Sequence, residues 1–226
     1  IAARAYGALC KKLDFQNAAK LIYSIKEILE NGESTSIDRA GAAQAMGEIT
    51  YALGIPYVEK VLPVYLANTK STQMHIRESY IGIFAFLPTI MDEEFEPYIP
   101  EVVDNIIESV SEDNETIRNL ALRVCKILIQ RFGLKKTSVL LEPAEEGLFS
   151  DNWRKRSSSI MLMSEMLEVL QRSERLSSEN PAEKEEYHNM FNRIITSIYV
   201  LKFDNIEYVK NIANQVILFI SNFYLL

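Results

Sequence analysis

A short motif recurs six times along the chain and limits what the chain can fold into. In each copy a basic residue is followed by a turn of small or apolar residues and then by a stripe of bulky apolar ones. Successive copies are 35, 38, 41, 38 and 54 residues apart. The basic residues, which we predict to be structurally equivalent repeat positions, are Arg4, Arg39, Arg77, Arg118, Arg156 and Lys210.

Another apolar segment with helical spacing lies between successive copies. In one such segment Ile99, Val103 and Ile106 fall on one face of a helix. Short turns such as Asp151-Asn152 separate this segment from the basic motif. Asp and Asn side chains accept hydrogen bonds from the free amides at a helix start, so we expect these residues to cap the second helix. The repeating unit is therefore predicted to be a pair of helices.

A period of about 40 residues with two helices each is typical of HEAT-like arrays. We therefore predict an all-α fold, a HEAT-repeat α-solenoid of about five to six helical hairpins wound as a right-handed superhelix. A single hairpin cannot bury its apolar face alone, so neighbouring hairpins supply the core.

The organisation expected from this pattern is a single array over residues 1–226. The first residue is Ile1 rather than Met, so we expect the chain to be a fragment of a larger protein. The longest spacing contains a Ser/Glu-rich stretch interrupted by Pro181. We predict that this stretch, residues 171–187, is a polar insertion loop.

Composition narrows the possible locations and partners. Hydrophobic residues make up 48% of the chain, enough to bury a large core, and the net charge is −7. An acidic chain attracts polyanions weakly, which argues against nucleic-acid binding over the whole surface. Cys10 and Cys125 both lie among apolar neighbours, as expected for buried thiols in a reducing compartment. No apolar run approaches the ~20 residues that span a bilayer. We therefore predict a cytoplasmic protein without a membrane partner.

The chain offers little material for catalysis. Its two histidines, His75 and His188, have no second ligand at metal-binding spacing and no nucleophile in a recognisable motif. The glycines do not cluster into a phosphate-binding loop, and the carboxylate runs are typical of solvated helix faces. We therefore predict no enzyme activity, no cofactor, no metal site and no small-molecule substrate.

The densest basic cluster, Arg154-Lys155-Arg156, follows the single tryptophan, Trp153. In one interpretation Arg156 is the repeat position and its basic neighbours are merely solvated. In the other, Trp153, Arg154 and Lys155 contact an anionic partner such as ribosomal RNA or an acidic protein. In that case Lys135 and Lys136 could extend the binding surface.

Two stretches, "IRESYIGIFAFLPTI" and "LLEPAEEGLFSDNWRKRSSS", resemble the central to C-terminal HEAT region of the general-control translational activator family. That family consists of ribosome-associated activators of the kinase of initiation factor two. The specific part of the match is "DNWR-x-R-x-SS". The matching positions are Tyr80, Gly82, Phe84, Leu87, Pro88, Glu115, Ile117, Arg118, Gly147, Leu148, Phe149, Asp151, Asn152, Trp153, Arg154, Arg156, Ser157 and Ser158.

The resemblance implies a non-catalytic scaffold segment that helps to relay amino-acid starvation or ribosome stalling to the kinase. Its implied partners are the ribosome, through protein or ribosomal RNA, and regulatory proteins. The kinase itself is expected to bind outside this fragment. A different class of function, a karyopherin-like nuclear transport receptor or another protein–protein scaffold, is also compatible with helical repeats but would not need the "DNWR-x-R-x-SS" text.

Overall fold

The computed structural model describes residues 2–176 and 181–224. Over those two ranges the chain forms α-helices and short 3-10 segments without any strand. The helices are α1 (Ala2–Cys10), α2 (Phe15–Glu30), α3 (Ser36–Ala52), α4 (Ile55–Thr69), α5 (Met74–Phe84), α6 (Leu87–Met91), α7 (Ile99–Ile106), α8 (Glu115–Phe132), α9 (Thr137–Leu148), α10 (Trp153–Leu176), α11 (Pro181–Val200) and α12 (Glu207–Tyr224). The 3-10 segments are Asp92–Tyr98, Ile107–Ser111 and Leu201–Phe203.

The chain divides into two compact units, residues 1–127 and residues 128–226, with the boundary inside α8. In the first unit α2 packs against α3 and α4 packs against α5, each pair joined by a short turn. The second helices of successive pairs also contact each other, as α1 does with α3 and α3 with α5. Large side chains from several hairpins, such as Ile49, Tyr80 and Phe84, are fully buried. The core of this unit is therefore shared between neighbouring hairpins, as expected for stacked repeats.

The second unit repeats the same scheme. The hairpin of α9 and α10 packs against the hairpin of α11 and α12, with α10 contacting α12 and α9 contacting α11. Leu148, Ile160, Met163, Ile194 and Val209 are all fully buried in this core. Within each unit the chain is thus a stack of helical hairpins, which confirms the predicted all-α helical-repeat class. The single array over residues 1–226 and the right-handed superhelix stay predictions.

Local sequence explains where the helices begin. Thr35 precedes α3, and its hydroxyl accepts a hydrogen bond from the Asp38 amide at 3.2 Å. The Asp38 carboxylate in turn accepts from the Thr35 amide at 3.3 Å, so the two residues form a reciprocal capping box. Asp14 caps α2 by accepting from the Asn17 amide at 2.9 Å. At the predicted Asp-Asn turn before α10, the Asn152 side-chain oxygen accepts a hydrogen bond from the Arg154 backbone amide at 2.9 Å.

The segment 171–187 differs from the predicted polar insertion loop. Helix α10 continues to Leu176 and α11 begins at Pro181, so both ends of the segment are helical. Residues 177–180 lie outside the described residues. The physical reason is that a polar composition does not exclude a helix: Glu, Arg and Lys are good helix formers, and proline is well tolerated at the first helical position.

Among residues 2–176 and 181–224 we find no helix with the length and apolar character needed to cross a membrane.

Candidate functional site: the arginine positions and the turn surface

Three of the repeat arginines bind the turn that precedes their own helix. In Arg77, Arg118 and Arg156 the Nη1 group donates to the carbonyls six and five residues upstream. Arg77 donates to the carbonyls of Ser71 at 2.8 Å and Thr72 at 3.2 Å. Arg118 donates to those of Glu112 at 2.6 Å and Asp113 at 3.3 Å. Arg156 donates to those of Ser150 at 2.8 Å and Asp151 at 3.1 Å. These carbonyls lie in irregular turns, so each guanidinium satisfies backbone acceptors that no helix would satisfy.

Arg39 uses a related arrangement. It donates to the Ser34 carbonyl, five residues upstream, and lies 3.3 Å from the Ser36 hydroxyl. The four arginines therefore share one role in their own turns, whatever the local details.

Three of these guanidinium groups, those of Arg39, Arg77 and Arg156, pair with carboxylates of the following hairpin. Arg39 Nη2 lies 2.6 Å from a Glu78 oxygen, and both side chains are almost completely buried. Arg77 Nη2 donates to Glu112 at 3.0 Å. The Glu112 carbonyl also accepts from Arg118, so this one residue joins two successive arginine positions. These ion pairs therefore tie the turns of Arg39 and Arg77 to the next hairpin of the first unit.

The most completely bonded of these pairs is in the second unit. Arg156 Nε and Nη2 donate to the two oxygens of Asp204 at 2.7 and 2.9 Å, while Nη2 lies 3.4 Å from the Asn205 amide oxygen. Asp204 also accepts from the Ile206 amide at 2.8 Å, next to the start of α12. The hydrogen bonds from Arg156 hold the pKa of the Asp204 carboxyl below its usual range. A buried carboxylate needs such partners, because an unpaired buried charge is strongly unfavourable.

Arg4 and Lys210 depart from the shared arrangement. The Arg4 side chain is 85% exposed and lies 3.7 Å from Glu48. Lys210 pairs at 2.6 Å with Glu207 of its own helix. An ammonium group is a point charge without the planar fork of arginine, so it does not bridge a turn and a carboxylate in the same way.

The residues predicted to contact a partner begin α10. The Trp153 ring packs edge-on against Tyr208 of α12, with ring centroids 5.6 Å apart. The Arg154 guanidinium carbon lies 4.8 Å from the centre of the Trp153 ring, a cation–π contact. Trp153, Arg154 and Lys155 are all half-buried. The structure thus brings these three residues together at the turn end of the hairpin.

Lys135 and Lys136 do not join this cluster. They precede α9, and α9 runs antiparallel to α10: Gly133 lies near Met166, whereas Gly147 lies near Ser159. Helix α9 has 12 residues, so its start lies about 18 Å from the turn that leads into α10. The structure therefore places the two lysines apart from Trp153, and their contact with a partner stays a prediction. Adjacent helices of a hairpin begin at opposite ends, which places their first residues far apart.

Sequence reasoning missed the exposed aromatic residues of the same turns. Phe149 is 72% exposed and Phe203 is 77% exposed, although most large apolar side chains of the second unit are buried. Aligning the copies on their basic residue would have found them. Seven residues before the basic residue, the copies of Arg156 and Lys210 have phenylalanine. The copies of Arg39, Arg77 and Arg118 have Gly32, Lys70 and Ser111 at that position.

Groups that could support catalysis or metal binding are held in structural roles. Burial raises the pKa of the Cys125 thiol to about 12 and also raises that of Cys10, which leaves both thiols protonated and unreactive near neutral pH. His75 lies 3.2 Å from the carbonyl of Glu30. Within the part of the chain that the structure describes, no three His, Cys, Asp or Glu side chains gather as metal ligands would.

Comparison with known proteins adds independent information. The chain is 35% identical over 166 residues, 74% of its length, to the eIF-2-alpha kinase activator GCN1 of Saccharomyces cerevisiae. It is 32% identical over 169 residues, also 74% of its length, to the stalled ribosome sensor GCN1 of Homo sapiens. The GCN1 activator of Dictyostelium discoideum is 28% identical over 91% of the chain. The chain spans only 6 to 8% of the length of these relatives. No family model matches it.

Proposed function

The chain belongs to the GCN1 family of eIF-2-alpha kinase activators and stalled-ribosome sensors, and we propose that it is a non-catalytic scaffold segment of a ribosome-associated translational activator. The observation that carries the proposal is the 35% identity to the yeast activator over 74% of the chain. In this role the segment helps to relay amino-acid starvation or ribosome stalling to the kinase of initiation factor two. It acts in the cytoplasm as part of a stress response.

The physical contribution of the segment is a stack whose layers are tied by buried ion pairs. Arg39–Glu78 and Arg156–Asp204 each join a turn to the next hairpin, with side chains about one-tenth exposed or less. Such contacts hold successive hairpins in register and support a scaffold better than a catalytic site. The partners we propose are the ribosome, through protein or ribosomal RNA, and regulatory proteins. The kinase binds elsewhere in the full-length parent.

The alternative of a karyopherin-like transport receptor is not favoured. The relatives are named as kinase activators and ribosome sensors. The "DNWR-x-R-x-SS" text that a transport receptor would not need lies at residues 151–159 of this chain.

The scaffold role is tested in the full-length parent by replacing two buried arginines together, Arg39→Met and Arg156→Met. We expect starvation-induced phosphorylation of initiation factor two to fall several-fold, while capture of the kinase by the parent stays at the wild-type level. The cause is local loosening of the hairpin stack, with the separate kinase-binding segment intact.

The matched control is Arg172→Met, which removes an exposed arginine paired with Glu168 within one helix. It should leave the starvation response unchanged. A normal response in the double variant, with unfolding of this segment demonstrated by limited proteolysis, would contradict the scaffold role.

A further inference from the structure

We propose that an aromatic and cationic surface in the second unit binds unpaired RNA bases. We call it the aromatic turn surface; it consists of Phe149, Trp153, Arg154, Tyr199, Lys202 and Phe203. The inference rests on the proposed function for the cellular source of the RNA, but its chemistry comes from the geometry of these residues.

Arg156 holds the two turns of this surface side by side. It donates to the Ser150 carbonyl in one turn and to the Asp204 carboxylate in the other. Phe149 directly precedes Ser150 and Phe203 directly precedes Asp204, so each phenylalanine is one residue from an Arg156 contact. The two exposed rings therefore lie on neighbouring turns at the same end of the hairpins.

The rings of this surface are available for stacking. Phe149 and Phe203 are about three-quarters exposed, and Tyr199 is 49% exposed. Tyr199 packs edge-on against Phe203 at 6.3 Å between ring centroids, so these two rings do not stack face to face on each other. Elsewhere in the fold, phenylalanines such as Phe84 and Phe95 are completely buried. Large aromatic side chains left on a rigid turn are typical of sites where a planar partner packs.

Cations alternate with the aromatic rings. Arg154 lies 4.8 Å from the Trp153 ring centre, and Lys202 Nζ lies 4.9 Å from the Tyr199 ring centre. The carboxylate of Asp204, two residues after Lys202, is paired with Arg156. A ring with a cation over one face matches one nucleotide, because a base stacks on the other face and the cation attracts the adjacent phosphate.

The same features favour single-stranded RNA over a duplex or an acidic protein. A duplex hides its base faces, whereas the exposed rings offer stacking area. Carboxylates also remain on this end of the unit, including Asp151 and the exposed Glu207 that pairs with Lys210. Stacking therefore supplies most of the affinity, and two cations imply a shallow salt dependence, with a slope of about −1.4 in log–log form for a single strand.

The test measures fluorescence anisotropy of a labelled, unstructured 12-nucleotide RNA titrated with the purified 226-residue chain. We expect binding that weakens at least about tenfold in the double variant Phe149→Ala, Phe203→Ala. The matched control is Phe15→Ala, which removes a phenylalanine that is 90% exposed in the first unit and should leave binding unchanged. Circular dichroism verifies that each variant keeps its helical content.

Further arms separate the possible outcomes. The double variant Arg154→Glu, Lys202→Glu should weaken binding and flatten the salt dependence, and a duplex of the same sequence should bind more weakly than the single strand. Equal binding of duplex and single strand, or wild-type binding by the phenylalanine variant, would overturn the proposal. The proposal would also be overturned if a labelled polyglutamate peptide bound as tightly as the RNA and lost affinity to the same extent in the phenylalanine variant. Because this assay uses no ribosome or kinase, its failure leaves the scaffold experiment with Arg39 and Arg156 unaffected.

Discussion

At the scale of single residues, the repeat positions at Arg39, Arg77, Arg118 and Arg156 depend on the residue type being arginine. Arg156 makes hydrogen bonds to two carbonyls of its own turn and to both oxygens of Asp204. The planar fork of arginine is what allows one side chain to meet all these acceptors at once. The role is therefore specific to the residue type, not only to its charge.

Replacing Arg156 with methionine should lower the free energy of unfolding by about 3–5 kcal/mol, since the change leaves the Asp204 carboxylate buried without its partner. Urea denaturation monitored by circular dichroism measures the effect. Arg172→Met, which removes an exposed pair within α10, should cost less than about 0.5 kcal/mol. Similar losses in the two variants would show that Arg156 is no more important than a surface charge.

At the scale of helices, close approach within a hairpin depends on glycine. Gly147 near the end of α9 faces α10 so closely that a Cβ there would overlap the Ser159 hydroxyl. Gly41 in α3 is also helical, but a Cβ there would meet nothing within 4 Å. The same residue type thus has a packing role in one helix and none in the other.

These two glycines give a paired prediction. Gly147→Ala should destabilise the protein by about 1–3 kcal/mol, because the added methyl group displaces the buried Ser159 hydroxyl in the contact between α9 and α10. Gly41→Ala should stabilise it by about 0.5–1 kcal/mol, because alanine has the higher helix propensity. Thermal denaturation of both variants measures the effects, and shifts of the same sign would contradict this account of the packing.

At the scale of the whole molecule, the contacts of each ion pair stay within one compact unit. Arg39 and Glu78 belong to residues 1–127, whereas Arg156 and Asp204 belong to residues 128–226. Repeat proteins are stabilised mainly by contacts between nearest neighbours, so damage should remain close to its origin.

Hydrogen exchange followed by mass spectrometry tests this locality. Arg39→Met should raise amide exchange mainly in residues 1–127, and Arg156→Met mainly in residues 128–226, because each change opens the hairpins that it directly joins. The wild-type chain and Arg172→Met provide the baseline. A uniform rise over both units in either variant would mean that the chain opens as one cooperative body.

The sequence by itself determined the helical-hairpin class, the family and the special status of Arg39, Arg77, Arg118 and Arg156. These follow from local patterns, because apolar periodicity, capping turns and a recurring basic residue are all written within about 40 residues of each other. The helical ends of segment 171–187 show that composition alone does not distinguish a polar helix from a loop, since residues such as Glu, Lys and Arg occur in both.

Only the tertiary structure decided which carboxylate each arginine meets and which side chains share a surface. Arg39 pairs with Glu78 and Arg156 with Asp204, residues 39 and 48 positions away in the chain. Stacking of hairpins brings Phe149 and Phe203 to neighbouring turns, while the antiparallel course of α9 and α10 keeps Lys135 and Lys136 away from Trp153. Such long-range neighbours depend on how layers pack, and the local pattern of one hairpin carries no information about that packing.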